Sequence, residues 1–182
     1  MSWRELHQLF EADSKLKGHL RKAPKLSYSA LHPGNKKQCV NTALAIFHET
    51  TIAALRSFFP EKEAMANFLE LIWSWWTIVN SKNRLNKSNS LGNAIVADDG
   101  KTDFFRLLAD YFEEWCGGAS FLCLTPNTSA ALVRTLRAHA NLIEELLFEE
   151  GYDFVLSVRL QSDPLERRFS QYRQMSGGHF FG

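Results

Sequence analysis

The strongest constraint on this chain is the spacing of its apolar residues, which recur at intervals of three and four along several long stretches. Val40, Ala43, Leu44, Phe47, Thr51, Ala54, Leu55 and Phe58 share one side of a helix that Pro60 stops. A second helix opens at Glu61. Its stripe of Met65, Phe68, Leu69, Ile72, Trp73, Trp76 and Val79 is wide enough to predict deep burial. Thr102 and Asp103 open a third, with Phe105, Leu108, Ala109 and Phe112 on one face and Gly117-Gly118 at its end. Thr125-Pro126 precedes the longest, about 127–149, with Leu132, Leu136, Ala140, Ile143, Leu146 and Leu147 on its seam. A shorter helix over 2–14, capped by Ser2, sets Trp3, Leu6, Leu9 and Phe10 on one side. Helices that each carry one apolar stripe must bury it on one another, so the predicted class is all-α.

The connecting segments read differently. Residues 15–34 are basic and broken by Pro24, Pro33 and Gly34, which predicts a loop, with Asn35 as the cap of the next helix. Residues 80–101 have the Asn, Ser, Lys and Gly composition of a loop. Phe154, Leu156, Val158 and Leu160 alternate with Val155, Ser157, Arg159 and Gln161. That period of two predicts a short strand, with a helix continuation as the alternative over so short a run. A last helix runs from Pro164 to just before Gly177.

Composition narrows the function classes. With 182 residues, 45% of them hydrophobic and 13% aromatic, the chain has the material for a packed core. Its net charge of +1 gives no overall polyanion signal, so any nucleic-acid surface has to be local. Cys39, Cys116 and Cys123 are odd in number and lack a Cys-x-x-Cys pair, which argues against a disulfide framework or zinc ribbon and for a reducing compartment. The densest apolar run, Phe68 to Val79, contains Glu70 and falls short of the roughly 20 residues a bilayer requires. The N-terminus is polar and amphipathic rather than a signal peptide. These features predict a soluble intracellular protein. There is no Gly-x-x-x-x-Gly-Lys-Ser/Thr loop and no Gly-x-Ser-x-Gly elbow, and the six histidines show no ligand spacing.

Chemistry concentrates near the end of the chain, in Gln161-Ser162-Asp163-Pro164-Leu165-Glu166, followed by Phe169, Tyr172, Arg173 and Gly177-Gly178. Glu166 has two competing roles. A carboxylate held in the first turn of a helix suits Mg²⁺, which takes oxygen ligands. Two such ions about 4 Å apart drive phosphoryl transfer. Alternatively, Asp163 at N-cap, Pro164 at N1 and Glu166 at N3 form a capping box, the commoner role on spacing alone. Leu165, Phe169 and Tyr172 share a face that predicts packing, while Arg167, Arg168 and Arg173 lie off it, available to phosphates or to solvent. Of the tryptophans, Trp73 and Trp76 lie on the core stripe and Trp75 points elsewhere, making it the freer candidate for stacking. Asn80 follows that helix, either contacting a purine edge or ending the helix.

The terminal stretch resembles the last catalytic motif of P-element-like DNA transposases, including the THAP-associated group. Their pattern is Gln-Asp-Xaa-Leu-Glu, an aromatic, a later Arg and Gly-Gly; here Ser162 is inserted between the Gln and the Asp. Further likeness lies in Ala23-Pro24-Lys25-Leu26, in Lys37 through Ala45 leading to Thr50 through Leu55, and in Trp76 through Ser81. The resemblance implies a helical GTP-binding insertion domain over 1–150, incomplete at its N-terminus. After it, 151–182 would be a C-terminal piece of the RNase H-like catalytic domain, a short strand or extended segment and a terminal helix. It implies that Glu166 is the catalytic, Mg²⁺-binding glutamate of an Asp/Asp/Glu set for DNA cleavage and strand transfer, whose two aspartates precede this chain. It implies GTP as a second cofactor, with Asn80 in contact with the nucleotide. The family's acidic residue three positions before that Asn is Thr77 here, which bears on guanine specificity. Transposon DNA is the implied partner and the nucleus the implied compartment; a homo-oligomer is compatible and no membrane is implied. A polypeptide with one carboxylate of three is expected to be inactive by itself, as a truncated, degenerate or domesticated copy. The rivals are a non-catalytic nucleotide-binding module and a helical module that meets protein or DNA through its last helix.

Overall fold

The computed structural model describes residues 3–36, 39–118 and 124–175, so the Ser2 cap, Lys37-Gln38, Cys123 and Gly177-Gly178 lie outside the described residues. The chain is all-α and divides into two compact units, Met1–Trp76 and Thr77–Gly182. Helix α5 runs through the division.

In the first unit, α1 (Trp3–Ser14), α2 (Tyr28–Leu31), α3 (Val40–Phe47), α4 (Glu49–Phe58) and the start of α5 (Glu63–Val79) enclose one core. Leu6, Leu9, Leu26, Leu31, Leu55 and Leu69 are its largest fully buried side chains. Burying a leucine contributes about 1.5–3 kcal/mol, so these residues carry much of the unit's stability. The basic segment after α1 is a connector, as its composition predicts, but it is pinned from within. Asp13 is 0% exposed. Its carboxylate accepts from the Lys22 amide at 2.6 Å, the Ala23 amide at 3.1 Å and Arg21 Nε at 2.9 Å. Arg21 also donates to the Leu26 carbonyl at 3.0 Å. A buried charge persists only when it is paired and hydrogen-bonded, and these contacts meet that condition.

The single helix expected over 40–58 is two. At His48 the backbone leaves the helical region (φ −63°, ψ 143°), ending α3 and starting α4. His48 Nδ1 accepts from the Thr50 amide at 3.2 Å, acting as an N-cap, and Thr51 Oγ1 donates to the Ala45 carbonyl at 2.8 Å across the bend. The periodic apolar spacing runs on through the bend, so periodicity passed over it, but α3 does not bury the expected face: Val40 and Ala43 are exposed and Ile46 is buried. Asn35 is not the cap of α3: it lies in the 3₁₀ turn Gly34–Lys36, and Cys39 precedes the helix. Arg56 ties α4 to α5 by donating to Glu63 at 3.0 Å, Asn67 at 2.8 Å and Glu70 at 2.7 Å. The deep burial expected along α5 holds for Met65, Leu69 and Val79, whereas Trp73, Trp75 and Trp76 are all half-buried.

The second unit is built on the antiparallel pair α6 (Lys101–Gly118) and α7 (Pro126–Glu144). Phe105, Leu108, Ala109 and Phe112 meet a seam of Val133, Leu136, Ala140, Ile143 and Leu147, so Leu132 and Leu146 of the predicted seam sit at its margin. Arg106 grips Glu144 with both terminal guanidinium nitrogens, and Arg137 bridges Asp110 and Glu113 from the other end. Thr125 caps α7 through the Thr128 amide at 3.3 Å, with Pro126 in the first turn. The predicted helix to 149 finishes instead in a widened π turn, Glu145–Glu149, and the chain reverses at Gly151, whose φ of +69° favours glycine. The loop before α6 is locked by Lys101, 7% exposed. Its ammonium donates to the carbonyls of Asn93 at 2.9 Å and Ala94 at 3.1 Å and pairs with Asp99. Cys116 is disulfide-bonded, so the odd cysteine count misled to that extent; Cys39 is a reduced, exposed thiol.

The alternating segment forms no strand among the described residues. Val155 makes one antiparallel bridge with Ile95, through amide–carbonyl bonds of 2.8 and 2.9 Å. A 3₁₀ turn, Ser157–Leu160, follows. The parity is also reversed: Val155 and Ser157 are buried, whereas Phe154, Leu156, Val158 and Leu160 are half-buried. The last helix, α8 (Asp163–Met175), does not pack as expected. Leu165, Phe169 and Tyr172 are 63%, 60% and 56% exposed.

Candidate functional site

The two residues singled out by sequence stand at the two ends of one hydrogen-bonded seam. Asn80 is half-buried in the turn that ends α5. Its successor Ser81 is 1% exposed and pairs by hydroxyl with Ser157, 0% exposed, at 2.9 Å. Ser157 Oγ also donates to the Ile78 carbonyl. Gln161 Nε2 donates to the Val79 carbonyl, and the Val158 amide to the Ser81 carbonyl at 3.4 Å. Carbonyls at a helix end have no partner within the helix. Here the Ser157–Gln161 segment satisfies those of Ile78 and Val79, and in doing so fixes where α8 begins.

Sequence reasoning missed Ser81 and Ser157, although Ser81 belongs to the Asn80-Ser81 stretch it had marked. The available signal was Ser157, a small hydroxyl residue inside an otherwise apolar run. A buried hydroxyl demands a partner, and the end of α5 provides one.

The cap of α8 differs from the predicted box by one residue. The Ser162 carbonyl accepts from the amides of Leu165 at 2.9 Å and Glu166 at 3.0 Å, so Ser162 holds the N-cap position and Asp163 is already helical. Ser162 Oγ donates to Glu166 Oε1 at 2.7 Å. The serine that interrupts the motif is therefore the residue that holds the glutamate. Glu166 itself is exposed. An exposed bond between a hydroxyl and a carboxylate exchanges readily with water, so it orients Glu166 without burying it.

Among the described residues no group of three or more His, Cys, Asp or Glu is arranged to hold a metal ion. Mg²⁺ binds through one or two carboxylates and usually completes its octahedron with waters and substrate phosphates, so Glu166 suits one corner of such a site. Trp75 is half-buried like Trp73 and Trp76, so it does not stand apart as a stacking platform. Trp73 packs against His48, with ring centroids 5.1 Å apart. Burial first, then the nearby Lys25 charge, holds the His48 imidazole below its usual pKa, against the opposing pull of Glu49. A neutral ring is what its capping bond requires. Among the described residues, no helix is long and apolar enough to cross a membrane.

No protein-family model matches the sequence, and no curated protein matches it. Among solved structures the fold has a clear counterpart in a DNA transposase. The chain matches a chain of the Drosophila P element transposase strand transfer complex with a TM-score of 0.79, over 95% of its own length and at 18% identity. It spans 40% of that longer chain. At this identity the likeness is one of fold.

Proposed function

We propose that this chain is a transposase-derived polypeptide: a helical insertion domain of the GTP-binding type over 1–150, joined to the closing piece of an RNase H-like catalytic domain over 151–182. The observation that carries the reading is a fold match over 95% of the chain to part of a P element transposase. The terminal motif adds to it independently, since Gln161 through Glu166 was marked by sequence and lies at an ordered helix start.

In this reading Glu166 is one ligand of the catalytic Mg²⁺ ions. Its role is to hold a cation at one corner while two aspartates from another segment complete the site. The bound metal would activate the attacking oxygen and stabilise the leaving one in strand cleavage and transfer. Asn80 is the proposed nucleotide contact. It stands in a turn held by the Ser81–Ser157 seam, so a nucleotide there would be sensed at the segment leading to Glu166. DNA is the partner, the nucleus the compartment and a homo-oligomer the expected assembly. The exposed Leu165, Phe169 and Tyr172 support the same reading: an apolar helix face left open suits an element that docks on a catalytic sheet.

The deciding experiment supplies the chain with an Asp-bearing RNase H-like polypeptide and transposon-end DNA in Mg²⁺. Strand cleavage that requires both polypeptides and disappears in Glu166→Gln supports the reading. Nicking by the chain by itself, abolished by Glu166→Ala, overturns the fragment reading. The exposed face of α8 also favours a second reading, a helical interaction module without catalysis. That reading prevails if α8 captures a protein partner while GTP, Mg²⁺ and the Asp-bearing polypeptide all have no effect.

A further inference from the structure

Between Lys15 and Lys37 the sequence holds seven lysines and arginines and no aspartate or glutamate, in a chain whose net charge is only +1. Around residues 21–26 the structure gives this segment a hydrogen-bonded frame. Asp13 fixes the backbone at Lys22 and Ala23 and consumes the charge of Arg21, while Ala23 and Leu26 are driven into the core at 0% exposure. Lys15, Lys17, Lys22 and Lys25 are left on the outside. Among the described residues none of these four lysines pairs with a carboxylate; Lys22 rests on Ser57 and the Phe58 ring, which are neutral. Of the acids on α1, Asp13 is buried, Glu5 is engaged by Lys62 at 2.8 Å and Glu11 is exposed; the exposed Glu49 acts, with Lys25, on His48.

The segment leads directly into an aromatic ledge. Tyr28, 64% exposed, stacks on His32 with centroids 4.1 Å apart and planes 22° from parallel. His7 meets His32 edge-on at 4.7 Å, and Trp3 continues the row from His7 at 6.3 Å. Histidine and tyrosine faces at the surface are costly places for water and good places for a nucleobase.

We propose that the loop from Lys15 to Lys25 and the Tyr28–His32 stack form a binding surface for single-stranded nucleic acid. The lysines meet phosphates, and an unpaired base stacks on Tyr28. The choice of nucleic acid over another polyanion rests on the transposase-like reading above. The choice of a single strand rests on the ledge, because duplex bases are already stacked on one another and offer no free face to an aromatic ring. An anionic membrane would use the lysines and have no use for a paired, outward-facing ring stack.

The test is fluorescence anisotropy of the full chain with a labelled oligothymidylate, a duplex of equal length, and phosphatidylserine vesicles as competitor, over a range of salt. The single strand is expected to bind with affinity falling as salt rises. Lys15→Glu with Lys17→Glu should weaken it at least tenfold and flatten the log–log salt dependence by about 1.4, two contacts at about 0.7 each. Tyr28→Ala should cost the single strand about tenfold and leave duplex binding unchanged. Both sites are exposed, and circular dichroism checks that the variants remain folded. Failure to bind either oligonucleotide at low salt overturns the proposal. So does binding insensitive to both changes, a silent Tyr28→Ala, or capture by vesicles without oligonucleotide. GTP titration and the two-polypeptide cleavage assay on the same wild-type protein separate a failure here from a failure of the transposase reading: intact GTP binding and cleavage with no oligonucleotide binding removes this surface alone.

Discussion

Three side chains decide more than their size suggests. Asp13 is fully buried and accepts three hydrogen bonds, so Asp13→Ala removes an acceptor from two amides and strands Arg21. The expected loss is about 3 kcal/mol, read from the urea midpoint, whereas a change at the exposed Lys17 should stay within about 0.5 kcal/mol. His48 gives a pH signature. Its imidazole is held below the usual histidine pKa in the folded chain, mainly by burial and further by Lys25. A depressed histidine contributes stability that is present above its unfolded pKa, about 6.5, and is lost as pH falls below it towards the folded value. Stability is therefore expected to decline as the pH is lowered from 7 to 5, and His48→Asn, which keeps a capping acceptor without a titrating ring, should flatten that profile. Glu166 is the third. Ser162→Ala frees its carboxylate from the 2.7 Å bond. In the two-polypeptide assay this should leave Mg²⁺-dependent cleavage intact, whereas Glu166→Gln abolishes it.

At the scale of elements, contrast separates what packs from what waits. Phe105, 0% exposed on α6, should cost about 3–5 kcal/mol when cut to Ala. Phe169, 60% exposed on α8, should cost almost nothing in thermal denaturation of the isolated chain. Most elements were legible in the sequence because each long helix buries one stripe: α1, α5, α6 and α7 lie where their periodicity puts them, and Thr125-Pro126 opens α7 as composition predicts. What escaped shares a cause, since burial pattern records which face is inside and not where the backbone turns. The apolar spacing continues through the bend at His48, so 40–58 reads as one helix, although α3 buries Ile46 in place of the expected Val40 and Ala43. The segment 154–160 alternates, yet its two buried positions are Val155 and Ser157, chosen by a bridge to Ile95 and a bond to Ser81 that no local window contains. The order in the basic connector depends on Asp13, an acid at the end of α1 that looks like any solvent-facing residue. At the terminal motif the helix was legible and its cap was off by one, because Ser162 competes with Asp163 for the same position.

At the scale of the whole molecule, the chain divides into two compact units, and its fold matches part of a longer transposase chain. A single exposed carboxylate offers a divalent ion little. Titration of the chain by itself with Mg²⁺ is therefore expected to give no saturable heat in the micromolar range, and addition of the Asp-bearing polypeptide should restore it. Saturable binding to the lone chain, unchanged by Glu166→Gln, would point to a cation site elsewhere.

The clasp around Lys101 makes the protein its own reporter. With its ammonium enclosed by two carbonyls and Asp99, an amine-acylating reagent should mark Lys15 and Lys17 at once and reach Lys101 only when the segment in front of α6 lifts away. The lag between the two labels, followed by peptide mass, would time that opening in unaltered protein, and a nucleotide seated beside Asn80 would be expected to lengthen it.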